Sequence, residues 1–428
     1  MPFPDKEIGF SASRGVFVKA KLLSGALALS LVAGGAGVAG ASTRSTTGVT
    51  PKKIKLGITY VDFTQLHKQG IVLNINHGDY EKSFRAVIRD LNAHGGVDGR
   101  EVEPVFAPIN PLGTTPAQEA CVKLTEDEKV FAVVGFFLDQ APLCYVENHE
   151  TPILGGTITS ELLARAKAPW FSMENGDATF ARGIDALAKE KAFKKKPIGV
   201  VVTNTQEDQL RNLIEPALEK NKVKFTSAII DAPPGDVPAG DRATDIILSR
   251  FQSDGVKTIV AVDSAIATLF RRLPKTDYRP FVVSTSANTY IAAGESTDAD
   301  PAVVRNSVSV GGQVNFNDPA MQKCYKIVEK ATGNKIVEFP GPDVPSYRTS
   351  ADTACRYITL FKEIAEAAGK NLTVTSFGKA AQKLIHPQAP GGPYTYDAKT
   401  HSYLGSMFIF RYHPDTKQVL PDANPVNL

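Results

Sequence analysis

Of the residues able to do chemistry, four cysteines constrain this chain most: Cys121, Cys144, Cys324 and Cys355. In an exported chain an even number of cysteines points to disulfides, and four allow three pairings. The favoured set joins Cys121 to Cys144 and Cys324 to Cys355, because each pair falls on successive predicted helices of one unit. Each bridge would add ~2–4 kcal/mol to stability. A metal centre is the weaker reading: there is no C-x-x-C pair and no histidine at ligand spacing. Enzymatic chemistry leaves no local trace either. There is no G-x-S-x-G elbow and no P-loop, and His149-Glu150 lacks the second histidine of H-E-x-x-H because position 153 is isoleucine. The seven histidines are scattered. A secreted hydrolase with a non-local triad is therefore the minor alternative.

One further motif dissolves on inspection. Gly35-Ala36-Gly37-Val38-Ala39-Gly40 matches the dinucleotide fingerprint G-x-G-x-x-G, yet it follows no strand and opens no helix. It sits in a leader. Arg14, Lys19 and Lys21 precede an uncharged stretch from Leu22 to Val38, and Ala39-Gly40-Ala41 offers a small-x-small cleavage pattern. Residues 1–41 thus read as a signal peptide, with Ser42 the first mature residue and export as the consequence. As a membrane anchor, 17 Gly-rich residues are marginal in length. No cysteine stands at the junction to carry a lipid.

The whole chain has 428 residues, with 48 basic and 45 acidic side chains and a formal charge of +3. Removing the leader leaves 44 basic against 43 acidic. Such neutrality argues against a dedicated nucleic-acid binder, which shows a basic excess or stripe. With 43% apolar and 22% charged residues, the chain is an ordinary globular one of two or three domains.

The elements that must position any site alternate from residue 52 onward. Lys55–Val61 is a strand, Asp79–His94 an amphipathic helix stopped at Gly95-Gly96, and Glu101–Ala107 a strand. A helix over Thr115–Lys129, the strand Val130–Gly135, a helix over Ala141–His149 and the strand Pro152–Gly156 follow. A second series begins with the strand Pro197–Thr203 and the helix Gln206–Lys222, then the strand Phe225–Ile230. After an exposed loop over Pro233–Gly240 come the helix Asp241–Asp254, strand Lys257–Val262, helix Ala265–Leu273 and strand Pro280–Ser284. Helices over Pro319–Thr332 and Ser350–Gly369 and a final strand pair around Ser406–Tyr412 complete the chain. This is the pattern of βαβ units on parallel sheets.

Several stretches carry a more specific likeness. The helix end Asn92-Ala93-His94-Gly95-Gly96-Val97-Asp98-Gly99-Arg100, the run Ala117–Gly135, Glu161–Arg165, the helix Tyr347–Leu360 and Gly392–Asp397 fall in an order that resembles the type I periplasmic binding proteins. The nearest branch is the branched-chain amino-acid (Leu/Ile/Val)-binding group of ABC-importer receptors, and the likeness spans about residues 52–415. It implies two doubly wound α/β lobes joined by three crossover strands: lobe 1 from 52–173 plus 309–398, lobe 2 from 174–308 plus 399–428. It further implies a non-enzymatic, monomeric receptor that closes by a hinge on a small organic ligand and docks on a membrane permease, with no cofactor, metal or nucleic acid. A ligand sensor feeding a regulatory partner is the alternative on the same fold.

Carried over position by position, the resemblance nominates a cleft. The small hydroxyl that follows the VFAVVG-type strand in the family is replaced by Phe136-Phe137-Leu138-Asp139-Gln140, and an aspartate there would repel a carboxylate. Thr157, Thr159 and Ser160 keep hydroxyls at the second carboxylate-binding turn. In the second lobe Gln206 stands where the family has an aromatic, and the acidic ammonium-binding position falls near Ser284-Thr285-Ser286, with Asp263 as a substitute. Phe63, Phe136, Phe137 and Tyr347 supply apolar walls, with one of Phe136 and Phe137 facing inward. The departures suit a neutral, hydroxylated, amide or aromatic ligand at least as well as an aliphatic amino acid. Each position also has a plain structural role open to it: Asp139 as a helix cap, the hydroxyls as turn formers, Trp170 as core and the 189–196 lysines as a solvated helix end.

Overall fold

The computed structural model describes residues 46–64, 77–111, 114–174, 176–233, 235–296, 299–338 and 347–426. The leader read at 1–41 lies outside them. Strand β1 (Lys53–Val61) opens the first lobe. Helix α1 (Tyr80–Ala93) is capped by Asp79, whose carboxylate accepts from the Lys82 N–H, and it buries Phe84, Val87, Ile88 and Leu91 on one face. The positive φ of Gly95 (101°) and Gly96 (63°) then turns the chain into β2 (Glu101–Ile109). Helix α2 (Thr115–Val122) runs on into a π-helical turn, Lys123–Asp127. Strands β3 (Ala132–Gly135) and β4 (Ile153–Gly155), helix α3 (Ser160–Arg165) and strand β5 (Trp170–Phe171) follow. The five strands form one all-parallel sheet in the order β2-β1-β3-β4-β5. Trp170 is fully buried and its Nε1–H donates to the Gly155 carbonyl, so it is a core residue as expected.

The second lobe begins with α4 (Asp177–Lys189) and β6 (Ile198–Thr203), then β7 (Phe225–Ile230), α5 (Val237–Ser253), β8 (Thr258–Ala261), α6 (Ala265–Arg272), β9 (Phe281–Ser284), α7 (Ala287–Gly294) and β10 (Ser307–Gly312). Helix α5 starts four residues earlier than the sequence reading placed it. Asp236 accepts from the Ala239 N–H and Pro238 sits in the first turn, where its missing N–H costs nothing. Residues 285–318 carry no strand or helix pattern that the sequence alone predicts. Strand β10 is Ser-Val-Ser-Val-Gly-Gly, buried almost throughout, and its serines hide the apolar signal.

Helices α8 (Pro319–Thr332), α9 (Arg348–Ala368) and α10 (Val374–Lys383) return to the first sheet, where their apolar faces share one core with α1. A hairpin of β11 (Thr395–Asp397) and β12 (Ser402–Leu404) bridges to Ser172 beside β5. Antiparallel β13 (Met407–His413) and β14 (Gln418–Pro421) then complete the second sheet, in the order β14-β13-β10-β9-β8-β6-β7.

The chain therefore crosses between the sheets three times: after Phe171, after Gly312 and after Leu404. The second and third crossings fall a few residues beyond 308 and 398, because β10 belongs wholly to the second sheet and Tyr403 to the first core. The Gln313 N–H donates to the Ser406 carbonyl, tying these two crossings together. Both favoured disulfides are present: Cys121–Cys144 in the first lobe, and Cys324–Cys355 joining α8 to α9. Among the described residues no helix is long and apolar enough to cross a membrane.

Candidate functional site

Parallel strands point all their carboxyl ends to one edge, and ligands of open α/β sheets sit beyond that edge. In the first lobe two glycines let the strand ends crowd together there. Gly135 (φ 122°) and Gly155 (φ 137°) lie opposite each other, and a Cβ on either would stand 2.1 Å from a backbone oxygen, of Thr59 and Gly135 respectively. Beyond β1, half-buried Phe63 meets His77 edge-on at 4.9 Å, and His77 Nδ1 lies 3.0 Å from the Tyr80 hydroxyl. Tyr347 (φ 46°) abuts Gly78 beside them. Phe63, His77 and Tyr80, with Tyr60 and Glu81, line a recess of about 320 Å³. Burial lowers the pKa of His77, favouring its neutral form.

The loops after β3 and β4 divide the remaining nominees. Phe137 is the inward ring: it is buried and packs edge-on to Tyr145 at 5.3 Å. Its place as a cleft wall is corrected accordingly, because the ring is spent on the core, whereas Phe136 is half-buried. Asp139 and Gln140 are exposed, and Asp139 adopts φ 43°. Among the described residues the Asp139 carboxylate accepts no hydrogen bond from the following helix, so the capping role is not seen. Thr157 is exposed. Thr159 caps α3, its hydroxyl accepting from the Leu162 N–H at 3.3 Å. Ser160 reaches the other lobe, its N–H and hydroxyl donating to Asp177 Oδ2 at 3.2 and 3.3 Å.

The second lobe assembles its nominees into one network. Gln206 Nε2 donates to Asp263 Oδ2 at 2.9 Å, and Gln206 Oε1 accepts from the Thr203 and Ser264 hydroxyls. The Asp263 N–H in turn donates to Thr285 Oγ1 at 3.1 Å. Three residues from the ends of β6, β8 and β9 are thus linked directly. Among the described residues no cation pairs with the Asp263 carboxylate. Thr285 also lines a hollow of about 190 Å³ with Ser286, Asn288, Thr179, Phe180 and Gln313, at the start of α7. N–H groups at such a helix start suit anionic groups.

Sequence reasoning missed the residues at the crossings. A cavity of about 80 Å³ is lined from all three: Glu174 and Arg182 by the first, Gln313 by the second, and Leu404 by the third. Arg182 Nε and Gln313 Oε1 are buried there without a hydrogen-bond partner among the described residues. Burial lowers the pKa of Arg182, against the pull of Asp185. Behind them lies Arg356, which donates to the Tyr394 hydroxyl at 3.0 Å and to the Met173 carbonyl at 2.8 Å. Burial opposes its charge, but Tyr394, Glu174 and Tyr357 more than offset that, so its pKa is raised and it stays cationic. No local pattern marks these residues, because well-separated stretches of chain supply them. The one hint is the i, i+4, i+8 series Arg348, Asp352 and Arg356, three charges that recur on one face of α9.

A family model described as periplasmic binding protein matches residues 72–417. No curated protein matches the chain in sequence. Solved structures share its fold. An ABC transporter substrate-binding protein from Desulfitobacterium hafniense, in complex with Leu, has a TM-score of 0.61 at 14% identity, covering 87% of this chain and 100% of that one. A leucine-binding protein from Thermotoga maritima gives 0.55 at 15%, covering 86% and 98%. A fatty acid ABC transporter substrate-binding protein from Thermomonospora curvata gives 0.55 at 16%, covering 88% and 93%. These identities speak for the fold alone. The family match, by contrast, runs through both lobes and all three crossings, and the chain belongs to the periplasmic binding protein family.

Proposed function

We propose that this chain is an extracytoplasmic solute receptor of an ABC importer, which captures a small organic ligand by hinge closure and presents it to a membrane permease. The observation that carries this reading is the cavity at the crossings: the chain leaving β5 and β10 lines it, and it holds an unpartnered donor on Arg182 and an unpartnered acceptor on Gln313 among the described residues. A ligand offering both an anionic or carbonyl oxygen and an N–H would satisfy the two at once. Asp263, without a cation of its own, suits an ammonium or amide N–H at the neighbouring edge. An amino acid, or a related amide or aromatic compound, meets these demands. The solved relatives bound to or named for leucine and fatty acid agree with a small organic solute.

A ligand that binds only the folded state raises its stability by about 2.7 kcal/mol at a hundredfold excess over Kd. Thermal-shift screening over amino acids, amides, aromatic acids and sugars should therefore yield a stabilising compound. Gln313→Ala should weaken its binding about tenfold, the loss of one well-made hydrogen bond of about 1.4 kcal/mol. Failure of every compound to stabilise the protein, with turnover of one of them, would remove the receptor reading.

A further inference from the structure

Opposite the cleft, the second lobe holds a hollow that its own side chains do not fill. The parallel strands of its sheet send their carboxyl ends to the cleft, so the starts of β9 and β10 lie at the far edge. There a space of about 230 Å³ has an apolar floor, made by Leu187 of α4, Phe281 of β9, Val308 of β10 and Ile409 of β13. Leu187, Val308 and Ile409 belong to the core of this lobe, and half-buried Phe281 packs against it. The chain after α4 makes the rim. Lys191 takes φ 61° and turns the chain, the Ala192 N–H donates to the Leu187 carbonyl, and Phe193 is buried as an anchor. Lys191, Lys194 and Lys195 are left exposed around the opening. Arg411 joins them from β13, two residues beyond Ile409 and so on the same face of the sheet.

The rim is far more cationic than the near-neutral chain as a whole. Four of the lining residues are basic and one, Glu190, is acidic. Arg411 is paired with Asp422 at 3.2 Å, whereas among the described residues no carboxylate meets the ammonium of Lys191, Lys194 or Lys195. The Lys195 ammonium lies 5.4 Å from the centre of the Phe281 ring, so charge and apolar surface adjoin at the mouth. These lysines are exposed, as a solvated helix end requires, but solvation gives no reason for an apolar floor beneath them. An alkyl chain laid on that floor gains by leaving water, and an anionic head gains from the unpaired ammonium groups. We propose that this hollow is a second binding site, for a small organic anion with an apolar tail, such as a medium-chain carboxylate. An uncharged chain of the same length lacks half of that gain, and a cationic one is repelled. The site is independent of the receptor reading, since it shares no residue with the cavity at the crossings or with the Thr285 hollow.

The test is isothermal calorimetry of the full chain with octanoate, octanol and octylammonium. One equivalent of octanoate should bind, octanol should bind about tenfold more weakly, and octylammonium should not bind. Added salt should weaken octanoate, because screening shortens the reach of surface charges. The charge reversal Lys191→Glu/Lys195→Glu should remove that equivalent of octanoate and admit octylammonium. The milder Lys191→Gln/Lys195→Gln should weaken octanoate about tenfold, with the circular dichroism of the chain unchanged. Gln313→Ala, at the crossings, should leave octanoate binding as it is, and the lysine variants should leave untouched the affinity of any cleft ligand found by thermal shift. Failure of this site and failure of the receptor reading are therefore separate results. Absence of octanoate binding, equal affinity for octanol, or a loss that follows Gln313→Ala instead of the lysine variants would each overturn the proposal. So would adsorption to phosphatidylglycerol vesicles without octanoate binding, which would make the patch a membrane-docking surface.

Discussion

At the scale of single residues, the most consequential side chain is one no motif announced. Arg356 is almost wholly buried, and its hydrogen bonds join α9 to the Tyr394 segment and to the first crossing. Arg356→Met would leave the Met173 carbonyl and the Tyr394 hydroxyl without their charged donor in a buried site, so stability should fall by about 2–3 kcal/mol. Urea unfolding measures this, and a loss below about 1 kcal/mol would show that the network is dispensable. His401 makes a different prediction. Its ring stacks on Phe171 at 5.3 Å, its Nδ1 is buried without a partner among the described residues, and burial lowers its pKa below 6.5. A depressed folded-state pKa gives stability that is present above the unfolded pKa and lost as pH falls through the folded one. His77 has the same sign. The melting temperature should therefore drop on acidification from about pH 7, with the two histidines contributing. His401→Asn, which tolerates the φ of 52° at this position, should flatten that slope, and an unchanged slope would exclude His401 as a source.

At the scale of elements, strand ends matter more than strand centres. The runs that form β3 and β6 are apolar because both faces of a parallel sheet are covered, which is why they were legible from residue types alone. Their terminal residues obey another constraint. Gly135 can bend out of β3 only because nothing projects toward the Thr59 carbonyl, and its φ of 122° is open to glycine alone. Gly135→Ala should therefore cost about 2 kcal/mol or more and shift the Phe136–Gln140 loop at the cleft edge. Calorimetry with a tryptophan-fluorescence probe at Trp170 would measure both, and wild-type stability would contradict the crowding argument. The site nominees divided for a related reason. Those at the ends of β6, β8 and β9 came together because parallel register carries neighbouring strand ends to one line. On the β3 and β4 loops, Phe137 went to the core and Thr159 to a helix cap, choices that local packing makes and residue type does not reveal.

At the scale of the whole molecule, three crossings join the two sheets, and hydrogen bonds such as those from Ser160 to Asp177 bridge them among the described residues. Asp177→Ala removes a pair of partly exposed hydrogen bonds worth about 1 kcal/mol; under the hinge closure proposed above, this should weaken ligand binding about fivefold. Solution scattering should show a larger radius of gyration for the ligand-free variant, and identical scattering with identical affinity would remove Asp177 from the hinge. The amino-acid sequence by itself determined the class of fold, the alternation of strands and helices and the family likeness, and it favoured one of three disulfide pairings, which the structure then fixed. Those properties reside in local periodicity and in order along the chain, which hydrophobic burial and chain connectivity enforce. The cleft was decided by tertiary structure alone. Glu174, Arg182, Gln313, Arg356 and Leu404 come from well-separated stretches. Such convergence is set by how sheets and helices pack, and no spacing along the chain encodes it.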